Sequence, residues 1–263
     1  MTEKIRLLVY LGAGSDRIPN FTHLDNNIRK QSKKGVKVRP PEILCDLRDK
    51  LPFKKETVDL FYTIHTLEHL THRELMACLT DLLISLKIGG FLRVVVPCFD
   101  CMIQSYLQSR EVIVENWEVN PDLPIRNPSE LFAARALYHD HKYLHNFETL
   151  SQALQDVGFQ EIKACSAGQT EFNSIVIQQV FWSKESARTS GDLILEAKKT
   201  NQLESTENSW RKKQKRLYQF LAVFLNLKLG RNRGLVPAFP EVDWFREKTQ
   251  KLKRQRYTYF EGD

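Results

Sequence analysis

The chain has 263 residues, 42% of them apolar and 27% charged, with a formal net charge of +7. That composition supports a sizeable core in one domain or two small ones and excludes a disordered chain. No apolar run reaches the roughly 20 residues of a membrane span, and the apolar segment in MTEKIRLLVY is too short for a secretory signal, so a cytosolic protein is expected. Cys45, Cys78, Cys98, Cys101 and Cys165 are odd in number and irregularly spaced, which argues against a disulfide framework and fits a reducing compartment. The charge is uneven: residues 201–263 carry 14 Lys+Arg against 7 Asp+Glu, leaving 25 of each sign in residues 1–200.

In chain order, IRLLVYL (5–11) reads as a strand, followed by the turn LGAGS and a short strand FTHLD ending in Asp25. EILCD (42–46) and VDLFYTI (58–64) continue the alternation of short apolar runs with polar stretches, the pattern of a βα-type sheet protein. HRELMACLTDLLISLK (72–87) places Leu75, Leu79, Leu82, Leu83 and Leu86 at spacings of three and four, which predicts an amphipathic helix stopped by Gly89-Gly90. GFLRVVVP (90–97) follows as a strand. Residues 98–146, with weaker periodicity and several prolines, are expected to form an insertion over one end of the sheet. FETLSQALQDVGF predicts a helix with a glycine stop and QEIKACS a strand; after an irregular stretch, GDLILEAKK reads as a last strand. There are no internal repeats.

The turn after the first strand limits the ligand. A dinucleotide site places its pyrophosphate on the helix that follows the glycines, with roughly 20 residues before the ribose-binding acid. Here Gly14 and Asp25 are only 11 positions apart, and SDRIPN, with Pro19, leaves little room for that helix. S-adenosylmethionine carries no phosphate. It needs glycines where backbone approaches its amino-acid end, an acid for its ribose hydroxyls and a polar group near its adenine, all of which a short loop can supply.

The ordered series LGAGS, HLD, CDLRDKLPF, VDLFYTIHTLEHL and LISLKIGGFLRVVVP resembles class I S-adenosylmethionine-dependent methyltransferases. More narrowly it resembles a bacterial, methyltransferase type 11-like group with a shortened first helix, often found with polysaccharide genes; HKYLHNFETLSQALQDVGF and GDLILEAKK match its later segments. The resemblance spans residues 5–200 and implies an α/β, Rossmann-like fold: a mostly parallel seven-stranded sheet with helices on both faces. It implies a methyltransferase domain at 1–200, with 98–146 covering the substrate, and an added helical extension at 201–263. Carried over, Gly12, Ala13 and Gly14 would lie under the methionine part of the cofactor and Asp25 would hold the ribose. Asp46 and Leu47 would flank the adenine, and Ile64 and His65 would face the sulfonium. Asp16 stands where the family has a small residue and can repel the cofactor's carboxylate. The implied acceptor is a small molecule or glycan, with a sugar of a polysaccharide or its precursor in view; the alternative is a binding or scaffold protein of the same fold without turnover.

Methyl transfer from a sulfonium is an in-line displacement in which the protein supplies alignment, and a hydroxyl acceptor also needs a base. The candidates are His65, Asp100, His139 and His141, with His65 foremost. Tyr138, Lys142 and Tyr143 suit a sugar through stacking and hydrogen bonds. HTLEH (65–69) matches the H-x-x-E-H pattern of inverted zinc proteases, but that chemistry needs both histidines on one helix, and His65 ends a strand, so no metal is expected. Glu68 and His69 are read instead as caps of the next helix. CFDC (98–101) has the context of a thioredoxin-like pair without the rest of that fold, and is read as two small, partly buried cysteines.

Beyond Thr200, Leu217, Phe220, Leu221, Phe224 and Leu225 fall on one helical face behind a basic cluster. Packing of that face on the enzyme or a second copy is the first reading of 211–233. Peripheral contact with an anionic membrane, at the inner membrane surface, is the second. Nucleic acid comes last, since no motif for it accompanies the charge.

Overall fold

The structure, a computed structural model, describes residues 6–27, 39–108, 125–137, 140–186 and 191–200. The expectations for the basic extension, for Tyr138 and for His139 lie outside these residues. Strands β1 (Leu8–Leu11), β2 (Thr22–Asp25), β3 (Ile43–Leu44), β4 (Val58–Ile64), β5 (Leu86–Pro97), β6 (Gln160–Ala164) and β7 (Asp192–Lys198) form one sheet in the order β3-β2-β1-β4-β5-β7-β6. β7 runs antiparallel to both its neighbours and the other pairs are parallel. With helices on both faces, this is the Rossmann-like class I methyltransferase fold. Among the described residues no helix is long and apolar enough to cross a membrane.

Strand alternation divides the core into two layers. Val9, Leu11, Phe61, Leu92, Val94 and Val96 face helices α1 (His72–Ser85) and α4 (Phe147–Val157), whose Leu75, Leu79, Leu82, Leu150 and Leu154 complete that layer. Tyr10, Leu60, Tyr62, Ile64, Val95 and Ile194 point to the other face. There the loop from Gly12 to Phe21 replaces the helix a dinucleotide fold would place after β1, as its length predicts. The cover comes from α5 (Ile175–Glu185), which contributes Ile177 and Phe181 to a layer that also holds Ala13, Ile18 and Phe21 of the loop.

Helix α5 falls in the stretch expected to be irregular. Its inward residues Ile177, Phe181 and Glu185 recur every four positions, but Ile175, Val176 and Trp182 on other sides are exposed, so no apolar stripe stands out from the sequence. The inward charge has a partner that only the fold supplies. Arg93, fully buried in β5, donates Nε and Nη2 to the two Glu185 oxygens at 2.7 Å each. Nη1 donates to Gln169 O at 2.8 Å and to Glu196 Oε2 at 3.2 Å, and Nη2 also to Ser166 O at 3.3 Å. All five guanidinium donors are thereby used. Tyr62 Oη and Gly168 N–H donate to Glu185 as well, and the guanidinium lies 4.5 Å from the centre of the Phe181 ring.

Two further expectations change. Helix α1 ends at Ser85, and Leu86 and Lys87 belong to β5. Gly89-Gly90 is therefore a bulge inside a strand: Val58 pairs with Leu86 and Leu60 with Phe91, so Lys87–Gly90 stand opposite the single residue Asp59, with Gly89 at φ +79°. The start of α1 is capped by Thr71 and Glu74, whose side chains each accept from the other's backbone N–H, and not by Glu68 and His69. The insertion contains α2 (Phe99–Gln108) and α3 (Pro128–Leu137), which meet through Tyr106 and Phe132.

Candidate functional site

The carboxyl ends of the parallel strands and the start of antiparallel β7 share one edge of the sheet, where open α/β sheets bind ligands. That edge gathers Gly12, Ala13 and Gly14 after β1, Asp25 at the end of β2, Asp46 and Leu47 after β3, Ile64 and His65 at β4, and Asp192 at β7.

Gly12 and Gly14 adopt left-handed conformations, φ +63° and +55°. The buried Asp25 carboxylate accepts Gly14 N–H at 2.6 Å on one oxygen and Asn27 N–H at 2.9 Å on the other. Each oxygen retains a second lone pair for a ligand hydroxyl. Gly12 has a second reason to be glycine: a Cβ there would stand 2.2 Å from Thr66 Oγ1. The turn after β1 and the turn after β4 thus touch, a constraint that a ligand-based reading of the motif misses.

Asp16 is less hostile to a carboxylate ligand than its sequence context implies, because Lys184 of α5 pairs with it at 2.6 Å. Asp46 is held by Arg48, with Nε at 2.9 Å and Nη2 at 2.5 Å, and these bonds outweigh partial burial to keep its carboxyl at about 2. Leu47 is buried beside it. Nearby, buried His23 accepts Ile18 N–H on Nε2 and faces Glu42 through Nδ1, each at 2.8 Å, which fixes its neutral tautomer and the path of the short loop.

His65 follows β4 at φ +49°, its N–H donating to Val95 O at 2.9 Å. Its Nε2 is 2.7 Å from Asp192 Oδ2. A carboxylate only accepts, so Nε2 carries the proton and the basic lone pair falls on Nδ1. Asp192 was legible only as the opening of a strand. The other candidates go elsewhere: Asp100 accepts from Asn146 Nδ2 at 3.3 Å, and His141 Nδ1 donates to Arg135 O at 3.0 Å. The histidines of HTLEH separate, His65 toward Asp192 and His69 toward the His141 ring, 5.0 Å away between centroids. Lys142 pairs with Asp140, and Tyr143 lies between His72 and His145.

Cys98 and Cys101 form a disulfide, correcting the reading of two separate thiols. Cys98 immediately precedes α2 and Cys101 lies in its first turn, which brings their Cα atoms to 5.2 Å, within disulfide range. Cys101 N–H also donates to Cys98 Sγ at 3.1 Å.

No family model matches the chain, and no curated protein matches it. Solved structures do. A SAM-dependent methyltransferase from Archaeoglobus fulgidus aligns at 16% identity over 74% of this chain and 86% of its own, with a TM-score of 0.41. An S-adenosylmethionine-dependent methyltransferase from Mesorhizobium loti aligns at 14% identity over 74% and 93%, with a TM-score of 0.41. The plantazolicin methyltransferase BpumL, solved with SAH, aligns at 14% identity over 74% and 77%, with a TM-score of 0.45.

Proposed function

We propose that this chain transfers a methyl group from S-adenosylmethionine to a hydroxyl of a small-molecule or glycan acceptor. The observation that carries the reading is the junction of Gly14 and Asp25: a left-handed glycine whose N–H is tied at 2.6 Å to the acid ending β2, with no helix between them. This suits a phosphate-free adenosyl ligand better than a dinucleotide. The side chains fit such a ligand, since Asp25 keeps acceptor capacity for ribose hydroxyls and Lys184 offsets Asp16 near the amino-acid end.

When bound, the cofactor supplies an electrophilic methyl group. Gly12, Ala13 and Gly14 would support its amino-acid end, Asp25 its ribose, and Asp46 and Leu47 its adenine. His65 takes the proton of an acceptor hydroxyl at Nδ1 while Asp192 holds Nε2–H and stabilises the imidazolium that results. His141, whose Nδ1 is engaged with Arg135 O, is left out of the proton path. Acceptance by a sugar is supported only by the resemblance to the group found with polysaccharide genes.

Calorimetric titration with S-adenosylmethionine and S-adenosylhomocysteine tests the reading, with NAD and Asp25→Ala as controls. Saturable binding of both adenosyl ligands, weakened in the variant and absent for NAD, is expected. A folded protein that binds neither overturns it. The second reading, a binding protein without turnover, predicts adenosyl binding with no methyl transfer across an acceptor screen.

A further inference from the structure

Glu68, His69 and His141 form a cluster that the proposed methyl transfer does not use. The 3₁₀ turn Leu67–His69 is stitched to the segment before α4, because the amides of Lys142 and Tyr143 donate to Glu68 O at 2.8 and 3.2 Å. That stitching brings His141 to His69. One ligand atom from each of the three residues lies within 4.8 Å of the other two.

Three properties set the cluster apart from a solvated polar patch. Glu68 is 1% exposed, and among the described residues neither carboxylate oxygen has a hydrogen-bond partner. Such a group is costly unless a proton or a cation neutralises it. His141 Nδ1–H donates to a backbone carbonyl, the outer contact that fixes the tautomer of metal-binding histidines and leaves Nε2 as the ligating atom. Two imidazoles with one carboxylate are also a known donor set for zinc and its first-row neighbours.

We infer that Glu68, His69 and His141 form a binding site for a divalent first-row transition cation, with zinc the best-matched ion. Ligand atoms sharing one zinc at about 2.1 Å stand roughly 3.5 Å apart, so the three side chains close by about 1 Å on binding. His65 stays outside the set, committed to Asp192. A cation there would polarise an acceptor oxygen near His65; that role rests on the methyl-transfer reading, whereas the site does not.

The test uses the full chain, stripped with chelator and titrated with zinc in a calorimeter without cofactor or acceptor. One saturable equivalent is expected, weakened about tenfold or more in Glu68→Gln and His141→Ala and retained in His72→Ala, a change at an exposed position. On the wild-type protein, zinc should also protect His69 and His141, but not His72, from diethyl pyrocarbonate, read by mass spectrometry. No saturable binding, binding that both ligand variants retain, or absence of protection overturns the site. The separate titration with S-adenosylmethionine decides the methyl-transfer reading, so the two failures remain distinct.

Discussion

His65 Nε2 and Asp192 Oδ2 stand 2.7 Å apart, joining the turn after β4 to the first residue of β7 across 127 positions of sequence. The contact fixes which imidazole nitrogen is basic. Asp192→Asn offers an amide in its place and frees the tautomer. Turnover with a hydroxyl acceptor should fall about 100-fold, the lower range for a lost general base, while S-adenosylmethionine affinity stays within about twofold. Steady-state kinetics beside calorimetry separate the two; unchanged turnover removes His65 from the proton path.

The Arg93–Glu185 pair holds α5 against the sheet where the sequence provides no helix after β1. Glu185→Ala leaves a buried guanidinium short of its main partner and should cost about 3–5 kcal/mol. Urea denaturation measures this. Arg93→Met combined with Glu185→Leu and Glu196→Gln should recover most of the loss, because no charge of the network then remains buried without its partner.

Gly12→Ala meets two obstacles, the left-handed φ and the Thr66 side chain. Conformation alone costs roughly 1–2 kcal/mol, with the clash in addition. Adding Thr66→Ala removes the contacts at 2.2 and 2.5 Å and should restore part of the stability, leaving the conformational share. Full recovery in the double variant would mean that backbone strain at residue 12 is negligible.

His145 is 1% exposed, both its ring nitrogens lack a hydrogen-bond partner among the described residues, and burial, then the nearby His72, pushes its pKa down to about 4. The folded state resists protonation more than the unfolded chain, whose histidine titrates near 6.5. Stability present above 6.5 is therefore lost as pH falls toward about 4, by roughly 3 kcal/mol in all. The melting temperature of His145→Phe should decline less than that of the wild type over this window. Parallel curves would show that His145 does not carry the dependence.

By itself the sequence determined the strands, α1 and α4, because apolar periodicity and glycine stops are local signals and these elements bury one regular face. It also placed Gly12, Gly14, Asp25 and His65 at one edge, since strand ends follow from strand positions. The extent of β5 was not legible: Gly89-Gly90 looks the same as a helix stop or a bulge until β4 pairs alongside. Nor was α5, whose inward face ends in a glutamate that only a buried Arg93 makes tolerable. Asp192 beside His65, Lys184 beside Asp16 and His141 beside His69 were decided by tertiary structure alone. Each joins segments far apart in the chain, and short-range spacing carries no record of which distant side chain the completed sheet will bring within reach.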